Sequence, residues 1–182
     1  MTERLILAGY GGQGIMTLGY CIALSAMRAG KQVTYFPSYG AAVRGGTANC
    51  HVTYSDEPIY LTSIEQADSL IIMNQPSYEK FRPLLKADGL LVINSSMVKL
   101  VPALEKASRG RVISAAATDI ANELKNVRVA NSVMLGAYNT ATGFLPKDTI
   151  LSVIVEEMGH RPQLLDANLA AMHRGEEAAK KT

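Results

Sequence analysis

The stretch "RLILAGYGGQGIMTLGYCIALSAMRAG", residues 4–30, joins a short apolar run to a glycine-rich turn and then to an apolar segment of helical length. Leu5 to Ala8 reads as a buried strand, and Ile15 to Ala29 as a helix that Gly30 stops. Ile15, Met16, Leu18, Cys21, Ile22, Leu24 and Met27 make that helix apolar almost all round, so heavy burial is expected. Gly9, Gly11 and Gly14 satisfy G-x-G-x-x-G directly after the strand and at the opening of the helix, the context this motif needs. Glycines let the main chain approach an anion closely, and the open amides at the helix start point toward it. The plainer reading is a tight strand-to-helix crossing whose glycines serve packing and positive φ.

Working outward, strand-length apolar runs recur at Val33 to Phe36, Leu70 to Met73, Leu90 to Ile93 and Val112 to Ala115. Runs this short and this continuously apolar fit strands covered on both faces. The expected fold is α/β: a Rossmann-like three-layer domain with a mainly parallel sheet and helices on both faces. In "TANCHVTYS", Ala48, Cys50, Val52 and Tyr54 alternate with Thr47, Asn49, His51 and Thr53. That period of two suggests a half-exposed strand, antiparallel at an edge. Further helices are expected from Pro76 to about Leu85, over "IANELK" with Thr118 or Asp119 as cap, and from Pro146 to Gly159. Another starts at Pro162 and frays over about 174–182. Met134, Leu135 and Tyr138 belong either to a buried core helix or to a partner face. A chain of 182 residues with no repeat, linker or low-complexity tract reads as a single domain over 1–182.

The charge balance, 18 basic against 16 acidic side chains, gives no basis for generic attraction to nucleic acid or membrane. No apolar run approaches membrane-spanning length, and no leader pattern precedes Leu5, so a soluble, cytoplasmic protein is expected. Cys21 and Cys50 lack metal-site or redox-pair spacing and read as small buried residues.

A nicotinamide dehydrogenase should carry Asp or Glu roughly 20 residues after the turn, at the end of the second strand. Here that strand ends in Tyr35, Phe36 and Pro37, and no acidic residue occurs between Glu3 and Asp56. Hydride transfer is therefore disfavoured. Arg4, Arg28, Lys31 and Arg44 fall in the same interval, which makes it either a locally positive segment suited to a phosphate ligand or a set of scattered charges. "YGAAVRGG", Tyr39 to Gly46, places Arg44 among glycines at the carboxyl end of the second strand, where ligands of open α/β sheets collect. Arg44 is then either a fork-shaped donor for an anion or a brace for its own loop. The candidate binding residues are Gly9, Gly11, Gly12, Gln13, Gly14, Tyr39, Arg44, Gly45 and Gly46. No catalytic residue and no metal ligand is expected. The other strand ends offer Asn74, Gln75, Asn94, Ser95, Ser96 and Thr118, none of them a general acid or base, and His51, His160 and His173 read as solvated or simply hydrogen-bonded. Ser95 and Ser96 lack a nucleophile elbow and read as loop-stabilising hydroxyls.

The paired signature, G-x-G-G-Q-G followed by Y-G-x-x-x-R-G-G, resembles the gamma subunit of 2-oxoacid:ferredoxin oxidoreductases. The similarity continues through "SLIIMNQPSYEKF", "ADGLLVINSS" and "NSVMLGA", and departs at "YLTSIEQAD". The resemblance implies an accessory chain of an enzyme that oxidatively decarboxylates a 2-oxoacid, joins the acyl group to coenzyme A and passes electrons to ferredoxin. It further implies that thiamine diphosphate, Mg²⁺ and iron-sulfur clusters belong to alpha, beta and delta partner subunits. Coenzyme A is the ligand it suggests for the glycine turns, and "MNQPS" with the short chain favours 2-oxoglutarate over pyruvate, branched-chain 2-oxoacids or indolepyruvate. Self-association of the isolated chain is a further possibility. The readings from other classes are an NADP-dependent dehydrogenase and a nucleotide-binding regulatory module.

Overall fold

The computed structural model describes residues 1–38, 47–105, 109–158 and 162–181. All six expected strands are present: β1 (Thr2–Tyr10), β2 (Gln32–Ser38), β3 (Thr47–Ser55), β4 (Ala67–Ile72), β5 (Leu85–Asn94) and β6 (Arg111–Ala115). They form one sheet in the order β2-β3-β1-β4-β5-β6. β1, β4, β5 and β6 are parallel neighbours, while β3 runs antiparallel to both β1 and β2. The antiparallel direction of β3 matches the sequence, but its expected place at an edge does not. β3 lies inside the sheet and β2 holds the edge. Its alternation has another origin: Cys50, Val52 and Tyr54 enter the core beneath the helices, whereas His51 on the opposite face is half-buried.

Among the described residues, seven α-helices flank the sheet: α1 (Ile15–Arg28), α2 (Gln75–Phe81), α3 (Pro102–Glu105), α4 (Ala117–Glu123), α5 (Ala130–Thr142), α6 (Lys147–Met158) and α7 (Pro162–Lys180). Successive residues of β1 feed opposite cores. Leu5 and Leu7 join residues of α1 and α4 to α7, and Ile6 and Ala8 join Tyr78 and Phe81 of α2. A mainly parallel sheet sandwiched in this way is a Rossmann-like three-layer α/β arrangement.

Several helix details differ from expectation. α1 buries one side only, because only one side meets the sheet: Tyr20 and Met27 are exposed. α4 takes no cap from its own first residues. The amides of Thr118 and Asp119 instead reach back to Asn94 Oδ1 at 3.3 Å and Ser96 Oγ at 3.2 Å, on the neighbouring strand end. α7 does not dissolve at Arg174; it continues to Lys180 with Gly175, Glu176 and Ala179 buried. Met134, Leu135 and Tyr138 are core residues of α5, not an outward face.

The persistence of α7 has a steric cause. A Cβ on Gly136 would stand 2.0 Å from the Met172 carbonyl oxygen, and one on Gly175 would stand 1.9 Å from the Val133 carbonyl oxygen. The two glycines thus let α5 and α7 press main chain against main chain. Neither backbone can yield without separating the helices.

Beneath this pair, Glu3 of β1 is 5% exposed and accepts a hydrogen bond from the Tyr138 hydroxyl at 3.2 Å. Tyr138 also meets the Tyr54 hydroxyl at 3.0 Å. Burial raises the Glu3 carboxyl from an ordinary 4.5 to about 7, with the Asp68 charge adding to the rise; hydrogen bonds from Ser69 and Tyr138 and the Lys86 charge oppose it.

Two predictions follow from this packing. Gly136→Ala and Gly175→Ala should each reduce unfolding free energy by at least about 2 kcal/mol, read as a fall in the denaturant midpoint. Between pH 4.5 and about 7 the unfolded chain has released the Glu3 proton while the folded chain still holds it. Rising pH therefore favours unfolding across that window, by up to about 3 kcal/mol, and the loss levels off above it. Glu3→Gln should flatten this slope and leave the variant more stable than the parent at pH 8, as thermal melts across pH would measure.

Candidate functional site

β1 is where the chain order reverses across the sheet, since β2 and β3 lie to one side and β4 to β6 to the other. In open α/β sheets a ligand crevice forms beyond the carboxyl end of such a strand. Here a cleft of about 270 Å³ occupies that place, lined by Tyr10, Gly11, Gly12, Met16, Thr17 and Ser38 among others.

The glycines of the turn divide by cause. A Cβ on Gly9 would lie 2.7 Å from Gln13 Oε1 and 2.9 Å from Met73 Cβ, so this glycine makes room for neighbouring side chains. Gly14 has φ 73° and would meet Asn131 Nδ2 at 2.5 Å, so conformation and packing against α5 both select it. These two positions follow the plainer reading of the motif. Gly12, at φ 95°, shares the positive φ of that reading but not its packing, since nothing lies within 4 Å of its Cβ position, and Gly11 and Gly12 are both exposed on the cleft.

The start of α1 adds donors. Gly14 supplies no side-chain cap, and the first helical bond is Leu18 N–H to the Gly14 carbonyl at 2.9 Å. The amides of Ile15, Met16 and Thr17 precede that bond and have no acceptor within the helix. The positive end of the α1 dipole therefore faces the cleft beside an unhindered glycine backbone.

Gln13, counted among the binding candidates, turns its carboxamide inward. Its Oε1 accepts the Tyr10 amide at 2.7 Å and Asn74 Nδ2 at 3.3 Å, and its Nε2 donates to the Met73 carbonyl at 3.4 Å. Asn94 Nδ2 donates to that same carbonyl at 3.4 Å and to Thr118 Oγ1 at 2.8 Å. The polar strand ends thus form a continuous seam of amides and hydroxyls from the turn to α4. The sequence offered these residues as an unreactive rim; what it did not reveal is that they bond to one another. Ser96 caps α4 through its hydroxyl, the stabilising role expected of it.

Tyr39, Arg44, Gly45 and Gly46 lie outside the described residues, as does His160. The described basic side chains of the acid-free interval do not share a face at the turn. Arg4 pairs with Asp68 at 3.4 Å, Lys31 with Asp56 at 2.5 Å, and Arg28 with Glu156, all at the far pole of the sheet. The scattered-charge reading therefore holds for these three.

The insertion of β3 also accounts for the missing ribose carboxylate. Adjacent strands lie about 4.8 Å apart, so the end of β2 stands two spacings, about 10 Å, from β1 instead of one. A carboxylate there would be displaced from the position in which a nicotinamide enzyme uses it. The thiols fit no cluster either: both are buried, and burial pushes Cys21 up to about 11 and Cys50 up to about 12. Among the described residues, no group of three or more His, Cys, Asp or Glu is placed to hold a metal ion. No helix among them is long and apolar enough to cross a membrane.

Residues 4–178 match the family model of pyruvate ferredoxin/flavodoxin oxidoreductase. The chain is 32% identical to the pyruvate synthase subunit PorC of Thermotoga maritima, over 94% of this chain and 92% of the relative. It is 29% identical to the 2-oxoglutarate synthase subunit KorC of Methanocaldococcus jannaschii, over 99% and 95%. The ketoisovalerate oxidoreductase subunit VorA of Methanothermobacter marburgensis shares 29% identity over 98% of this chain, which spans only 37% of that relative's length. Among solved structures, the 2-oxoglutarate:ferredoxin oxidoreductase of Magnetococcus marinus, with 2-oxoglutarate, coenzyme A and succinyl-CoA bound, superposes with TM-score 0.89 at 27% identity. That match covers 100% of this chain and 31% of the other. The keto/oxoacid ferredoxin oxidoreductase gamma subunit of Geobacter sulfurreducens superposes with TM-score 0.83 at 27% identity, over 99% of each chain. With a family match over nearly its whole length and a gamma-subunit structure that superposes over 99% of each chain, the chain belongs to the pyruvate ferredoxin/flavodoxin oxidoreductase family as a domain of its gamma-subunit type.

Proposed function

We propose that this chain is the accessory gamma subunit of a 2-oxoglutarate:ferredoxin oxidoreductase, and that its glycine turn receives an anionic part of coenzyme A. The observation that carries this reading is the cleft itself: exposed Gly11 and Gly12 stand beside the uncapped start of α1, with no carboxylate among the described residues that line it. Main-chain amides at a helix start suit a diphosphate. The cleft is smaller than the roughly 300–1,000 Å³ of a complete small-molecule site, so it fits a portion of the cofactor and leaves the remainder to sister chains. Arg44, by sequence, belongs to the segment between Ser38 and Ala48, two residues that line the same cleft.

Coenzyme A, when bound, supplies the thiol that takes up the acyl group. This chain's part is to hold the anion and orient it, since the rim carries no general acid, base or nucleophile. Thiamine diphosphate, Mg²⁺ and iron-sulfur clusters are assigned to the alpha, beta and delta subunits, in keeping with the burial of both Cys21 and Cys50 in this chain. Ferredoxin is assigned as the acceptor through the complex. The choice of 2-oxoglutarate rests on the similarity to 2-oxoglutarate synthase subunits, and a pyruvate enzyme is the alternative because a pyruvate synthase subunit is comparably similar. Purifying the complex from its native host and assaying ferredoxin reduction with each acid decides between them.

Thr17 gives a charge-specific test. It is exposed in the first turn of α1 and lines the cleft. An acidic side chain there favours the helix dipole by about 0.3–1 kcal/mol, so Thr17→Glu should leave thermal stability unchanged or slightly raised. The same charge repels a bound anion. In the assembled complex Thr17→Glu should raise the Michaelis constant for coenzyme A about fivefold, with Thr17→Gln near the parent value. An unaltered constant in the Glu variant would remove the turn from coenzyme A binding.

A further inference from the structure

We infer that Gln13 is a positioning residue: it staples the glycine turn to the end of β4 and does not itself touch the ligand. The inference rests on the coenzyme A reading for its kinetic consequence, but its structural half stands alone.

A glutamine carboxamide has an oxygen with two lone pairs and a nitrogen with two protons. In Gln13 the oxygen takes the Tyr10 amide at 2.7 Å and Asn74 Nδ2 at 3.3 Å. The nitrogen gives to the Met73 carbonyl at 3.4 Å and faces Met97 Sδ at 3.5 Å. Its oxygen is fully used within the protein, and its nitrogen is left with only a weak thioether partner on the exposed side. Its main-chain amide meanwhile donates to the Tyr10 carbonyl at 3.2 Å, so Tyr10 and Gln13 are joined by both main chain and side chain. The turn between them is closed twice.

The neighbours are built around this side chain. Gly9 leaves the space into which Oε1 fits. Met73 is fixed by its own amide, which donates to the Ala8 carbonyl at 2.9 Å, and its carbonyl is held from the other side by Asn94. The staple is therefore tied, through Met73 and Asn74 just past β4, to the ends of β1 and β5. Gly11 and Gly12 are exposed, and Gly12 touches nothing through its Cβ position. Such residues have large conformational freedom unless their ends are fixed. Gln13 fixes one end and α1 the other. Without the staple the turn would have to be ordered by the ligand, and the affinity would fall by the corresponding factor.

The test uses Gln13→Ala and Gln13→Met in the assembled complex; Met keeps the side chain's length and loses its hydrogen bonds. Two readouts are taken: hydrogen exchange of the amides from Tyr10 to Gln13 without coenzyme A, and steady-state kinetics with it varied. Exchange at Tyr10 is expected to quicken at least tenfold in both variants. The Michaelis constant for coenzyme A is expected to rise about tenfold, with kcat within twofold of the parent. A ligand contact would instead leave exchange in the unliganded turn unchanged, and that result overturns the staple whatever the kinetics. Normal kinetics in Met but not in Ala overturns the hydrogen-bond basis in favour of simple packing. If exchange quickens, the Michaelis constant stays fixed and Thr17→Glu still raises it, the positioning role falls while the coenzyme A reading stands. If Thr17→Glu is silent as well, that reading has failed and the positioning role goes with it.

Discussion

The antiparallel pairing of β3 with β1 governs this molecule. It runs from Thr2 opposite Ser55 to Tyr10 opposite Thr47 without a register shift, and it forces β2 outward to the edge. Two consequences meet at the rim. The carboxyl end of β1 gains the first residues of β3 as a neighbour, so Ala48 lines the cleft where a parallel second strand would otherwise stand. The end of β2 is moved out of reach of a ribose. A glycine turn of dinucleotide type can then persist on this sheet without the adjacent strand end that would carry a ribose-binding carboxylate.

Much of this was legible in the sequence because burial on two faces leaves an unmistakable trace. Runs such as Leu70 to Ile72 and Leu91 to Ile93 are apolar at every position, and both proved to be interior strands. The place of β3 was not legible. Alternation reports that two faces differ, and a strand with a helix-covered face and a polar face gives the same pattern inside a sheet as at its border. The cap of α4 was missed for a related reason: its acceptors, Asn94 and Ser96, come from another element, and a local pattern holds no record of them.

The glycines show the limits of motif reading most clearly. Gly9, Gly11, Gly12 and Gly14 are one string in the sequence, yet neighbouring side chains occupy the space at two of them and solvent at the other two. Gly136 and Gly175 carried no local signal at all, because each sits in an ordinary helical pattern and acquires its meaning only from the carbonyl opposite. Gln13 was readable as part of a signature, but its direction was not, since a carboxamide serves a ligand and a main chain equally well. Spatial partners, not residue type, assign such positions.

The amide seam has a consequence for how the rim responds to its surroundings. Gln13, Asn74, Asn94, Ser96 and Thr118 bear no ionisable proton, so the network they form is titration-silent over the range in which cells operate. A fall in pH would leave the protonation of these groups as it was. A response of the rim to proton concentration must then originate outside this network, in a group such as the buried Glu3 carboxyl at the other end of β1 or in neighbouring polypeptides.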